Sequence, residues 1–115
     1  MRILLFLLCL PGLAMAGDFS LLDGDAALSR EEVLSLTATQ RVEFYEGGVS
    51  HYSVGGAYSY TYAGGGTAFG RFQVGSDGVV CVDFRNGRNR CDQFVHSHGR
   101  VVMITEDGQR FPIRP

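Results

Sequence analysis

From residue 40 onward, short runs of Val, Tyr, Phe and Thr alternate with polar positions, and a glycine-bearing turn cuts each run. Alternation at period two puts one side of a strand on a core and the other in water, and a repeat of roughly 8–12 residues is that of an all-β domain. The runs fall at 41–45, 50–54, 58–62, 68–74, 79–84, 90–95, 101–105 and 110–113. Between them stand Glu46-Gly47-Gly48, Gly55-Gly56, Gly64-Gly65-Gly66, Asp77-Gly78, Asn86-Gly87, Ser97-His98-Gly99 and Asp107-Gly108. Connections this brief join only antiparallel neighbours, because a parallel crossover takes about a dozen residues or more. The pattern predicts an all-β, antiparallel up-and-down meander of about eight short strands. It forms either a small barrel, which hides its edges, or a two-sheet sandwich.

Two earlier stretches follow other rules. Ser29, with Glu32 three positions later, has the spacing of a capping box, and Val33, Leu34 and Leu36 supply an apolar stripe behind it. One short N-terminal helix over 30–36 is predicted. It must dock, since isolated helices of that length are marginal in water. At the start of the chain, Arg2 precedes the apolar run Ile3-Leu4-Leu5-Phe6-Leu7-Leu8-Cys9-Leu10, and Ala14-Met15-Ala16 follows. Those features read as a cleavable secretory signal over 1–16, with the mature chain starting near Gly17 in the periplasm or outside the cell. The run is too short for a membrane span, which takes about 20 apolar residues. Cys9 follows bulky Phe6-Leu7-Leu8 where a lipid-attachment site wants small residues. The predicted organisation is a signal at 1–16, a helix-bearing segment at 17–39 and a β domain at 40–115.

Removing sixteen of 115 residues leaves 99, enough for one domain with one core. A hydrophobic share of 45 % assigns the sixteen glycines to turns and not to disorder. The formal charge of −2 becomes −3 without Arg2, which argues against a nucleic-acid partner. Every basic residue is Arg. Seven acids face Arg30 and Arg41 between Gly17 and Gly64, and seven arginines face five acids from Gly65 onward, a weak polarity along the chain.

Past the signal only Cys81 and Cys91 remain, and an even pair in an oxidising compartment is most simply a disulfide. Their separation is even, so they face each other across a hairpin only if its loop has an odd number of residues. The loop Arg85-Asn86-Gly87 meets this condition, with Gly87 in the left-handed position of a bulge. Phe84 then pairs with Arg88 through hydrogen bonds, which makes Cys81–Cys91 a close, non-hydrogen-bonded pair. The same register puts Val80, Val82 and Phe84 on one face with Arg88, Arg90 and Asp92. Three resolutions are open. The arginine stems lie over apolar neighbours with their heads in water, or a guanidinium pairs with Asp92 or Asp83, or Arg85, Arg88 and Arg90 hold an anionic ligand at the hairpin tip.

Tyr58, Tyr60 and Tyr62 share one sheet face, either as the inner wall of the meander or as a row on which sugar rings stack. His96 and His98 share a side, but a zinc site needs at least three protein ligands and His51 is remote in sequence, so no metal is expected. Gly64-Gly65-Gly66-Thr67 lacks the Lys of a phosphate loop, and no cofactor is expected. There is no Gly-x-Ser-x-Gly elbow and no free cysteine after the signal, so a hydrolase is only a distant alternative.

Gly70-Arg71-Phe72-Gln73-Val74, the stretch Asp77-Gly78-Val79-Val80-Cys81-Val82-Asp83-Phe84, Asn86-Gly87, Arg90-Cys91-Asp92 and the segment from Ile104 to Pro112 together resemble a group of small secreted β-domain proteins of Gram-negative bacteria whose function is unknown. The likeness spans residues 40 to 115. It implies compartment, disulfide and fold, and no activity. The expected function is a non-enzymatic periplasmic binding module or inhibitor acting on an envelope protein. The alternative is binding of an envelope glycan or an anionic lipid head group. The Ser-Gly-x-x-Tyr element of secreted lysozyme inhibitors has only a loose echo in Gly55-Gly56-Ala57-Tyr58.

Overall fold

The computed structural model describes residues 19–115, so the expected signal at 1–16, Cys9 and the start near Gly17 lie outside the described residues. The elements are β1 (Asp25–Ala27), α1 (Arg30–Ala38), β2 (Arg41–Glu43), β3 (Val49–Tyr52), β4 (Ala57–Thr61), β5 (Thr67–Val74), β6 (Val80–Phe84), β7 (Asn89–Ser97), β8 (Arg100–Thr105) and β9 (Arg110–Pro112). Strands β2 to β9 pair in sequence order, each antiparallel to the next. All eight predicted runs are strands, displaced by no more than two residues at either end. Of the two predicted architectures, the molecule adopts the single curled sheet. Its outer strands touch at a bridge between Phe44 and Ile113, where Tyr45 N donates to Pro112 O at 3.1 Å and Arg114 N to Glu43 O at 2.8 Å.

The alternation decides which side chains the curl encloses. Val42, Phe44, Tyr52, Tyr58, Val80, Val82, Phe94 and Met103 point inward and form the main core. Burial of each large apolar side chain contributes about 1.5–3 kcal/mol. One end of the curl is covered by α1, which adds Val33 and Leu36 to that core and lies beside the 53–56 turn. Its capping box is formed in both directions: Glu32 N donates to Ser29 Oγ at 3.1 Å and Ser29 N to Glu32 Oε1 at 2.8 Å. The expected stripe needs correction at Leu34, which is 38 % exposed. Thr37, four residues after Val33 and so on the same helix face, is buried in its place.

β1 has no sequence signal, since Asp-Ala-Ala carries neither a β-branched nor an aromatic residue. It forms because β7 outruns β6 and leaves a free edge, on which Asp25, Ala26 and Ala27 pair with Ser97, His96 and Val95. Asp25 then receives the Arg110 fork at 2.8 and 2.9 Å, and those hydrogen bonds hold its carboxyl well below the usual carboxylate range. Just before β1, Phe19 covers Val79, Val95, Val102 and Ile104 on the outer face and forms a second, smaller core.

Candidate binding site at the barrel mouth

The hairpin β6–β7 has the register its parity requires. Phe84 N donates to Arg88 O at 2.8 Å, Gly87 has φ +90°, and Cys81 is opposite Cys91 with Cα atoms 4.0 Å apart in a disulfide. Positive φ is strained for side chains other than glycine's, which explains Gly87 at this corner.

Of the three resolutions open for the arginine face, ion pairing is the one realised at Arg90. Its Nε meets both oxygens of Asp92 at 2.9 and 3.0 Å, and Nη2 reaches Oδ2 at 2.9 Å. Asp92 is enclosed, with 1 % of its side chain exposed. Burial pushes its carboxyl up to about 6, while the Arg90 charge pulls the other way. Nη2 also donates to Tyr58 Oη at 2.9 Å, and Tyr58 Oη shares a hydrogen bond with Ser50 Oγ at 2.8 Å. The guanidinium carbon is 5.9, 5.7 and 5.6 Å from the ring centres of Tyr58, Tyr60 and Phe84. Arg85 departs to the outer surface and lies over Phe69 at 5.2 Å, and Arg88 is exposed. Arg85 is therefore apart from the other two, whereas Arg88 and Arg90 line one cleft of about 230 Å³ together with Tyr62.

Of the two readings open for the tyrosine row, Tyr58 and Tyr60 take the inner wall. Tyr58 and Tyr60 are core residues, and burial raises both hydroxyl pKa values. Tyr62 alone presents a ring to solvent, at 52 % exposure, edge-on to Tyr60 with centres 4.9 Å apart. Tyr60 Oη donates to Glu46 Oε1 at 3.1 Å, and Gly48 N is bonded to the same oxygen. A Cβ at Gly48 would collide with Tyr60 Oη, so only glycine permits this arrangement.

These residues meet at the end of the barrel opposite α1, in a cavity of about 490 Å³. Its apolar wall comes from Tyr60, Tyr62, Met103 and Phe111. Its polar lining comes from Glu46, Thr105, Glu106, Asp107 and Gln109, with Arg90 between the two. Glu106 Oε1 accepts from Cys91 N at 3.2 Å. Asp107 accepts from the Thr105 hydroxyl and from Gln109 Nε2, and these bonds lower its pKa. The mouth carboxylates are thus oriented by the protein and retain free lone pairs. Because the Arg90 charge is matched by Asp92, the mouth as a whole is negative.

Sequence reasoning found Tyr58, Tyr60, Tyr62 and Arg90 but missed Glu46, Glu106, Asp107 and Gln109. The signal that identifies them is turn parity. In an up-and-down meander alternate turns share an end, which unites the turns after β2, β4, β6 and β8. The histidines are apart: His96 Nε2 is 3.1 Å from Glu32 Oε2, His51 Nε2 is 3.3 Å from Arg41 Nη1, and His98 Nδ1 is 3.1 Å from Ser97 Oγ. Among the described residues no three His, Cys, Asp or Glu side chains form a group fit for a metal. No helix among them is long and apolar enough to cross a membrane.

Fold and site together define a class: a small antiparallel β-barrel with a helix over one end and a lined cavity at the other. Comparison with protein-family models, curated proteins and solved structures finds no match.

Proposed function

We propose that this protein is a non-enzymatic binding module of the cell envelope, exported by the segment at 1–16, and that its ligand enters the barrel mouth. The carrying observation is the mouth itself, where an apolar wall and a few protein-held polar groups converge in one cavity. Binding sites commonly have that composition, at volumes of about 300–1,000 Å³. Export agrees with the Cys81–Cys91 disulfide.

A general acid finds no support in the carboxyl groups whose pKa values are displaced. Asp107, at the rim, has a lowered pKa and stays ionised, whereas a general acid needs a raised one. The carboxyl with the raised pKa, Asp92, is shut beneath Arg90 and out of reach of a substrate. An anionic head group at the hairpin tip is less well supported, because Asp92 engages Arg90.

The test is a titration of the isotope-labelled, disulfide-bonded protein with fractionated envelope extract, read by backbone amide shifts and by mass spectrometry of whatever is retained. The expected result is that shifts cluster at 46–48, 62–66 and 105–109 and that the retained compound is chemically unchanged. Shifts confined to Arg85 and its outer-face neighbour Phe69, or a compound converted on incubation, would overturn the proposal.

A further inference from the structure

The mouth combines three kinds of group, and together they select a ligand chemistry. Glu46, Glu106 and Asp107 offer only acceptor oxygens when ionised. Against them stand donors that are not used up, and the charged one is on Arg90. Arg90 Nε and Nη2 are engaged by Asp92 and Tyr58, but among the described residues Nη1 meets no acceptor. The third feature is the half-exposed ring of Tyr62, held edge-on by Tyr60. An anion entering this space would face three carboxylates and an arginine already neutralised. A cation would meet the carboxylates favourably but, bringing no acceptor, would leave the Arg90 Nη1 donor unsatisfied.

Hydroxyl groups satisfy both demands, because each donates one hydrogen bond and accepts others. A pyranose ring also has a face of weakly positive C–H bonds that suits the negative face of an aromatic ring. We propose that the mouth takes an uncharged saccharide, with its hydroxyls donating to Glu46, Glu106 and Asp107 and accepting from Arg90 Nη1, and with one sugar ring against Tyr62. The inference rests on the mouth being the ligand site, and it narrows the ligand to a neutral glycan rather than a protein surface.

The experiment titrates the full, disulfide-bonded protein with N,N′-diacetylchitobiose and maltose, and in parallel with tetralysine and inorganic phosphate, following amide shifts. A neutral disaccharide is expected to move signals at Tyr62, Glu106, Asp107 and Gln109, with an affinity that 0.3 M salt changes by less than about twofold, since screening acts on charges. Tyr62→Ala is expected to weaken binding at least tenfold while Tyr62→Phe retains it. Because Tyr62 is half exposed, both variants should keep the wild-type amide spectrum away from the mouth. If tetralysine moves the mouth signals and neither sugar does, the saccharide proposal is overturned while the binding-module reading survives. If neither sugar, peptide, phosphate nor envelope extract moves the mouth signals, both are overturned.

Discussion

Asp92 and Asp25 are both enclosed carboxylates paired with arginine, yet their environments displace them in opposite directions. The Asp92 carboxyl is pushed by burial from 3.8 to about 6, so between those values the folded state holds more protons than the unfolded chain. Its contribution is fully present below 3.8 and is lost as pH rises through about 6. Asp25, lowered by Arg110, behaves oppositely: its contribution is present above the ordinary carboxylate value and is lost as pH falls below it. Stability in a denaturant titration is therefore expected to peak at about pH 4–5. Asp92→Asn should flatten the limb between pH 4 and 6 and leave the acid limb in place. Arg90→Met strands a buried carboxylate and should cost about 3 kcal/mol at pH 7, and less at pH 5 where Asp92 takes up a proton. Equal losses at both pH values would contradict this account of the pair.

At the scale of elements, the hairpin β6–β7 shows what local rules achieve. An even cysteine separation, an odd loop and a glycine at the corner leave one register, and the chain adopts it. The folded protein should take up no thiol reagent until it is reduced. Closing a loop this short contributes about 3 kcal/mol in the chain-entropy model. At about 4–8 °C per kcal/mol, reduction should lower the melting temperature by more than about 10 °C. A thermal scan with and without reductant checks this, and coincident curves would contradict it. α1 was legible for the same reason, since both halves of its capping box lie within four residues. β1 was not legible, because its partner edge belongs to a strand about seventy residues later in the chain.

Across the whole molecule, the curl of the sheet separates groups that spacing alone seemed to unite. His96 turns toward the helix and His98 toward Ser97, so chelation is expected to leave the melting temperature unchanged. A drop restored by zinc would point to a site these positions do not provide. The same curl creates the mouth, where Glu46, Tyr62, Arg90 and Glu106 meet from four different turns and strands. Each of these residues is unremarkable in its own stretch of sequence. Only turn parity hints that they share an end.

The sequence by itself determined the eight strands of the meander, their antiparallel order, the helix cap and the disulfide register. Each depends on backbone preferences or parity acting between residues close along the chain. Tertiary structure decided the rest. The sheet closes Phe44 onto Ile113 because its curl accumulates over eight strands, which no single segment encodes. Arg90 turns inward because Asp92, two residues on, pairs with it and because Tyr58 and Tyr60 also compensate its desolvation, and those tyrosines reach it only once β4 and β7 face each other across the barrel. Whether an arginine at a hairpin is a solvated tip or part of the mouth is thus settled by a local ion pair together with contacts distant in sequence, whose energies exist only in the closed fold.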